Sequence, residues 1–95
     1  MQPKFALGQI TVTANAAAVL GEAGQEAAEF LSRHERGDWG DISAYEKAEY
    51  DRGLAEGSRV IFLSAYPLKT GQTLWVLTNL TQGKTTVLLP QEQVR

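Results

Sequence analysis

Hydrophobic and polar positions alternate along the last third of the chain, in three runs rich in Val, Ile, Leu, Thr and aromatic residues. The runs cover 59–68, 73–80 and 85–89. The two segments between them, 69–72 and 81–84, each contain a glycine suited to a tight turn. Short runs of this composition, separated by such segments, predict a three-stranded antiparallel meander.

The alternation places apolar residues on both faces of this sheet. Along the first run Phe62 and Tyr66 share one face and Leu63 lies on the other, while Trp75 and Leu77 share a face of the second run. We therefore expect helices or a partner chain to cover both faces at least in part, with Trp75 in the core. Pro67 lacks a backbone N–H, which predicts either an edge strand or a strand end there.

The beginning of the chain reads as a strand with a defect, followed by a short helix. Apolar residues change parity within 5–13, and Gly8 lies at the change, so we expect either a β-bulge or the true start of the strand at Gly8. Asn15 is a candidate N-cap for an alanine-rich helix over about 16–22, ended near Gly24.

Two further helices are predicted before the sheet. The first covers 25–36 and ends at Gly37; its apolar stripe recurs at helical spacing and comprises Ala27, Phe30, Leu31 and His34. The second covers 44–56, because Ser43 and Glu46 form a capping-box pattern and Gly57 supplies the stop. Its buried stripe is expected to be thin, made of Ala44, Ala48, Asp51 and Ala55 with Tyr45 and Leu54 nearby.

Length and order of elements predict one α+β domain over 1–95, with an N-terminal strand, two to three short helices and a meander in one sheet. There is no cysteine, no apolar run long enough to span a membrane and no signal-peptide pattern, so we expect a cytoplasmic protein. A net charge of -2 disfavours general nucleic-acid binding, which needs a strong positive field.

The segment 33–41 holds the only histidine and carries the candidate chemistry. His34, Asp38 and Asp41 are of the right types to ligate a divalent cation or to serve as acid and base. The structural alternative has His34 capping the helix end, Asp38 bonding a loop amide and Asp41 helping to start the next helix. We expect the structural alternative, and hence no bound metal and no cofactor. Ser64 could pair with His34 only if the fold brings them together.

Arginines and aromatic residues near this segment are candidates for binding. Arg33 could grip a phosphate or carboxylate, although ordinary surface ion pairs are the expected alternative. Trp39 lies between two glycines, either as a packed anchor of the helix–helix loop or as a contact for a partner. Tyr66 carries a polar group on an apolar ring, a combination enriched at interfaces.

The motif Arg33-His34-x-x-Gly37-Asp38-Trp39-Gly40-Asp41 resembles a family of short bacterial proteins found on plasmids, prophages and other mobile elements, labelled plasmid-related or uncharacterised. The resemblance extends to Phe30-Leu31, Ser64-Ala65-Tyr66, Trp75 and the Thr-Thr-Val-Leu-Leu-Pro of 85–90. It implies that the motif residues are shared, and it implies no established activity. The chain departs from the family pattern after Trp75 and at Tyr50, where the family commonly has asparagine.

These observations predict a small non-enzymatic accessory or inhibitor encoded on a mobile element, which acts by contact with another protein. The predicted binding residues are Arg33, His34, Asp38, Trp39, Asp41 and Tyr66. A second copy of the chain is an alternative partner, because three short helices leave apolar sheet surface to be covered. The alternative functions are a metal-dependent hydrolase using His34, Asp38 and Asp41, and a nucleic-acid-binding regulator.

Overall fold

The computed structural model describes residues 3–92, in which helices pack against one face of a mixed four-stranded sheet. The predicted domain therefore has residues 1–2 and 93–95 outside the described part. In chain order the elements are β1 (Gln9–Val12), α1 (Ala14–Ala23), α2 (Ala27–Glu35), α3 (Ala44–Glu56), β2 (Ile61–Pro67), β3 (Thr73–Asn79), β4 (Lys84–Leu88) and a 3-10 turn (Pro90–Glu92).

The sheet has the strand order β1-β4-β3-β2, so the α+β class and the antiparallel meander of β2, β3 and β4 are confirmed. The N-terminal strand adds to the meander in parallel, with Ile10 opposite Thr85. Of the two alternatives at Gly8, the strand start is the one found. Gly8 has φ +68°, and a Cβ there would lie 2.2 Å from the carbonyl oxygen of Gly83, so the close approach of the chains requires glycine.

The predicted helices are present with small shifts at their ends. The N-cap of α1 is Thr13 and not Asn15, because the Thr13 hydroxyl accepts the N–H of Ala16 at 3.1 Å while the Asn15 amide bonds Glu92. The bounds of α3 are those predicted, and Ser43 Oγ accepts the N–H of Glu46 at 3.0 Å. Within residues 3–92, no helix combines the length and the apolar character needed to cross a membrane.

The predicted buried stripe of α3 is wrong. Its alanines and Asp51 are exposed, and the helix instead buries Tyr50 and Gly53, with Leu54 half-buried beside them. A tyrosine ring removes much more apolar area from water than an alanine methyl, so its position decides the orientation of the helix. Gly53 leaves room for the side chain of Arg59, which a Cβ at position 53 would meet at 2.6 Å. The guanidinium of Arg59 lies over the Tyr50 ring, 4.5 Å from its centre.

The inner face of the sheet forms the core with all three helices. Phe30 of α2 packs with Tyr66, and Tyr50 of α3 packs with Phe62 and with Trp39 from the α2–α3 loop. The other core residues from the sheet and from α1 are Leu74, Val76, Val87, Ala16 and Leu20.

The opposite side of the sheet, here called the outer face, comprises Ile61, Leu63, Ala65, Trp75, Leu77 and Leu88. Neighbouring strands align these residues in rows, with Trp75 between Ala65 and Leu88, and Leu77 opposite Leu63. None of them belongs to the two core clusters that contain the helices. Ile61 is exposed, Leu63, Trp75 and Leu77 are half-buried, and Ala65 and Leu88 are buried. Trp75 is half-buried, so the expectation that it lies in the core is wrong, because within residues 3–92 the helices cover the inner face alone.

The free edge of β2 is closed by other parts of the chain. The N–H of Ala65 donates to the carbonyl of Trp39 at 3.3 Å, and the N–H of Asp41 donates to the carbonyl of Ala65 at 2.6 Å. Gly40, at the centre of this contact, has φ +77°, and a Cβ there would lie 2.2 Å from the Ala65 carbonyl oxygen. The glycine is therefore required both for the backbone conformation and for the close approach to β2.

We expect Gly40→Ala to lower the free energy of unfolding by about 2–4 kcal/mol, because it adds a steric clash to the cost of the left-handed conformation. Gly71→Ala is the matched control. Gly71 has φ +93° with no atom within 4 Å of its Cβ position, so the variant should lose only about 1–2 kcal/mol. Urea denaturation of the two variants measures the difference, and equal losses would contradict the clash.

Candidate functional site

The imidazole of His34 lies inside the protein, between α2 and the inner face of the sheet. Its exposed fraction is 0%, and both ring nitrogens contact hydroxyl groups. Nδ1 is 2.6 Å from Ser64 Oγ on β2, and Nε2 is 2.8 Å from Thr78 Oγ1 on β3. The apolar stripe predicted for α2 directs His34 inward, and the alternation of β2 directs Ser64 inward, while the position of α2 across the sheet brings the two side chains into contact.

The hydrogen bonds beyond Thr78 determine which ring nitrogen carries the proton. Thr85 Oγ1 lies 2.6 Å from the carbonyl oxygen of Leu7, which can only accept, so Thr85 donates to it. The hydroxyl of Thr78, 2.7 Å from that of Thr85, must then donate to Thr85 and accept from His34. His34 is therefore the neutral tautomer with hydrogen on Nε2, and Ser64 donates to Nδ1.

Aromatic rings surround the imidazole on its remaining sides. The ring of Phe5 meets it edge-on with centroids 5.2 Å apart, and Trp39 meets it at 5.7 Å. Phe5 also stacks on Phe62 at 5.1 Å, so the segment before β1 closes the site. Burial in these surroundings lowers the pKa of His34 to about 4, so the ring is uncharged at neutral pH.

The Ser64–His34 pair has the contact of a nucleophile and its base, yet the surroundings suit a structural role. Ser64 is 0% exposed, so a substrate has no access to the hydroxyl in this conformation. The lowered pKa of His34 makes it a weak base, and a threonine hydroxyl stands where an activating carboxylate would be. The pair instead satisfies polar groups that would be costly to bury alone.

Trp39 is packed among aromatic rings and is 2% exposed. It stacks on Phe62 with centroids 5.3 Å apart and meets the edge of Tyr50 at 5.0 Å. Its indole N–H donates to Oδ1 of Asp51 at 3.1 Å. Of the two alternatives for Trp39, this geometry favours the anchor of the helix–helix loop.

Three of the predicted binding residues meet at the surface side of this loop. Arg33 Nε is 2.7 Å from Oδ2 of Asp38, and its guanidinium lies 4.4 Å from the ring centre of Tyr66. The Tyr66 hydroxyl donates to the carbonyl of Asp38 at 2.6 Å. The Arg33 hydrogen bond lowers the pKa of the Asp38 carboxyl, while burial raises the pKa of Tyr66 to about 12. Arg33 and Asp38 are partly exposed, so their ion pair stabilises the fold by about 1 kcal/mol or less.

The three residues of the metal hypothesis are placed differently from one another. His34 is buried with both nitrogens engaged, Asp38 pairs with Arg33 and accepts the N–H of Gly40, and Asp41 is exposed. Among residues 3–92, no three His, Cys, Asp or Glu side chains are grouped so that they could hold a metal ion. The structural alternative for Asp38, a bond to a loop amide, is the one found. The alternative for His34, a cap at the end of the helix, is wrong, because its ring nitrogens contact Ser64 and Thr78 in the core.

Sequence reasoning missed Phe5, Thr78 and Thr85 as members of this network. Thr78 and Thr85 point into the core from strands whose other inward residues are apolar. A buried hydroxyl needs a hydrogen-bond partner, and the single histidine of the sequence, on the inward stripe of a helix, could have been proposed as that partner. Phe5 had no comparable signal, because its segment lies outside regular structure.

An open groove of about 490 Å³ lies beside this cluster. Lys4 and Gly37 form one side of it, and Asp51, Leu54 and Ala55 of α3 form the other. Lys4 and Asp51 are both exposed, so water and salt screen their charges. The groove therefore does not indicate a particular ligand.

The chain was compared with protein-family models, with curated proteins and with solved structures, and none of these matches it. The resemblance of the 33–41 motif to a mobile-element family therefore stays a prediction. In the structure, Gly37, Asp38, Trp39 and Gly40 each have a structural role. Gly37 takes φ +85° at the end of α2, and the other three close the loop onto β2 as described above.

We expect Thr78→Val to lower the free energy of unfolding by about 1–3 kcal/mol, because it removes the acceptor of the His34 N–H without changing the volume of the side chain. Thr86→Val is the matched control on the neighbouring strand, since Thr86 lies on the other side of the sheet, and it should change stability by about 0.5 kcal/mol or less. Chemical denaturation at pH 7 measures both, and a neutral Thr78→Val would contradict the network.

The pH dependence of stability should report the burial of His34. Its pKa is about 4 in the folded state against an ordinary value of 6.5, so the unfolded chain binds the proton more tightly. Stability from this group is therefore fully present above pH 6.5 and is lost as the pH falls towards 4. We expect the free energy of unfolding to fall by about 2 kcal/mol between pH 7 and pH 5, where the chain has no other histidine. A flat profile over this range would contradict the burial.

Proposed function

We propose that this protein acts by binding another protein and that the outer face of its sheet is the contact surface. The observation that carries the proposal is an apolar sheet face with no helix over it among residues 3–92. Contiguous apolar patches that reach the surface mark sites of protein contact, and Ile61, Leu63, Trp75 and Leu77 of this face are at least partly exposed. The motif resemblance suggests that the protein is an accessory or inhibitor encoded on a mobile element, and the composition of the chain suggests that it works in the cytoplasm.

The composition of the outer face supports this proposal. Trp75 lies at its centre, and tryptophan is among the residues that contribute most to binding when a partner excludes water from them. Leu63 and Leu77 lie in the adjacent row, and Lys84 enters only at a corner, opposite Asn79. A partner can therefore cover the centre of the face without burying a charged side chain.

The arrangement around 33–41 gives less support to an enzyme. The Ser64–His34 pair is enclosed by aromatic rings, and the carboxylate of Asp38 is held by Arg33 on the other side of the loop. These residues position one another. Their contribution to binding in this proposal is indirect, because they hold β2, and with it Leu63 and Ala65, in place.

The test uses Leu77→Glu, which puts a carboxylate in the middle of the outer face. Tagged wild-type protein first identifies partners from lysate of the source cells, and each candidate is then purified and its dissociation constant measured by calorimetry. We expect Leu77→Glu to weaken binding about tenfold or more, since a carboxylate would be buried without a partner. Thr73→Glu, at the exposed end of the same strand, is the matched control and should bind as wild type does.

Circular dichroism and thermal melting establish that both variants remain folded. A purified partner that binds wild type, Leu77→Glu and Thr73→Glu equally would contradict the assignment of the outer face. If wild-type protein binds no purified protein at all, the proposed function itself is wrong.

A further inference from the structure

The two edges of the sheet differ in whether the outward backbone N–H and C=O groups have hydrogen-bond partners within the chain. At β2 four of the outward groups are occupied: both groups of Ala65 by the 39–41 segment, the N–H of Leu63 by the Tyr50 hydroxyl at 3.3 Å, and the carbonyl of Ile61 by Arg59 at 2.8 Å. Pro67 closes the strand and has no N–H. Such devices prevent an edge strand from pairing with another chain.

The β1 edge has none of these protections among residues 3–92. The N–H of Gln9 donates to Gly83 at 2.9 Å and that of Thr13 to Val87 at 3.0 Å, both towards β4. In a parallel pair alternate residues bond the same neighbour, so the backbone groups of Ile10 and Val12 point to the open edge. All four residues of β1 are exposed.

The side chains of this edge are also suited to contact. Ile10 is 46% exposed and Val12 37%, although both are β-branched apolar residues on the helix side of the sheet. No charged residue occurs anywhere in 5–21, whereas charged residues make up 21% of the whole chain. Natural edge strands are kept very short or carry a lysine, a proline or a bulge that blocks pairing; β1 is short, at four residues, but carries neither lysine nor proline.

We propose that the β1 edge pairs with the β1 edge of a second copy of this chain, in antiparallel orientation about a two-fold axis at Thr11. In that register Ile10 lies opposite Val12 of the second copy, and each such pair exchanges both backbone hydrogen bonds through the groups that point outward. Thr11 faces its own equivalent in the close, non-hydrogen-bonded position. The two sheets become one continuous sheet.

The sequence of β1 is complementary to itself in this register. The apolar pairs Ile10–Val12 fall on one face on either side of the axis, and the Thr11 pair falls on the other, where threonine pairs across strands are favourable. No like charges meet, because the strand has none. A foreign strand would need a matching sequence, whereas a second copy supplies it by symmetry.

The dimer goes beyond the proposed function and does not rest on it. The outer face lies on the side of the sheet away from Ile10 and Val12, and an edge-to-edge contact leaves that face open to a partner. Sedimentation of the purified full chain, with no other protein present, tests the dimer by itself.

The test places like and unlike charges across the axis. Wild-type protein should sediment at twice the mass of one chain. Thr11→Glu puts glutamates on two facing Cα atoms that are about 4.5 Å apart. Repulsion between their carboxylates should raise the dissociation constant of the dimer about tenfold or more. Thr11→Lys should do the same, and an equimolar mixture of the two variants should regain the dimer, since opposite charges then face each other.

Thr86→Glu is the matched control, because it adds the same charge to the same face of the sheet but lies on β4, one strand away from the edge, beside Thr11 of its own chain. It should sediment as wild type does. A wild-type monomer at millimolar concentration would overturn the proposal. So would a dimer that survives Thr11→Glu, or one that Leu77→Glu dissociates and Thr11→Glu does not, which would assign self-association to the outer face.

Discussion

The burial of one imidazole constrains the arrangement of most of this protein. A neutral histidine has one donor and one acceptor, and both must be satisfied when water is excluded. Here the donor faces β3 and the acceptor faces β2, so α2 can occupy only one position along the sheet. The hydroxyl relay through Thr78 and Thr85 then extends the same requirement to the carbonyl of Leu7. One polar group thus ties together a helix, three strands and the segment before β1.

The 33–41 motif is best understood from this constraint. His34 supplies the buried ring, Trp39 covers it, and Gly40 allows the loop to lie against β2. The specific glycines, acids and aromatic residues of the motif follow from the geometry of a tight loop over a polar core, without recourse to catalysis. The two surfaces that we propose for contact with other chains, the outer face and the β1 edge, lie outside the motif, and several of their apolar residues are partly exposed.

Much of this fold could be predicted from periodicity, and the limits of that prediction have physical causes. Alternation in the strands and glycine positions identified the meander, and the Ser43 and Gly57 signals gave the bounds of α3. The buried side of α3 was predicted wrongly because the expected stripe was built on its alanines, whereas the larger ring of Tyr50 is what the helix buries. Trp75 was expected in the core because alternation cannot tell which face the helices cover.

The candidate site shows the same limit more sharply. Both His34 and Ser64 could be placed facing inward, yet their contact depends on how α2 lies across the sheet, which is a property of the tertiary fold. The parallel addition of β1 to β4 is also a long-range pairing that no local pattern encodes. For that reason the contrast between a closed β2 edge and an open β1 edge became visible only in the structure.

The central claim is that His34 is a neutral, doubly hydrogen-bonded core residue. The most direct measurement is a long-range ¹H–¹⁵N correlation spectrum of its imidazole at pH 7. The account predicts a single tautomer with hydrogen on Nε2, an unprotonated Nδ1 and slow exchange of the Nε2 proton with water. A ring that averages between tautomers, or that carries its proton on Nδ1, would contradict it.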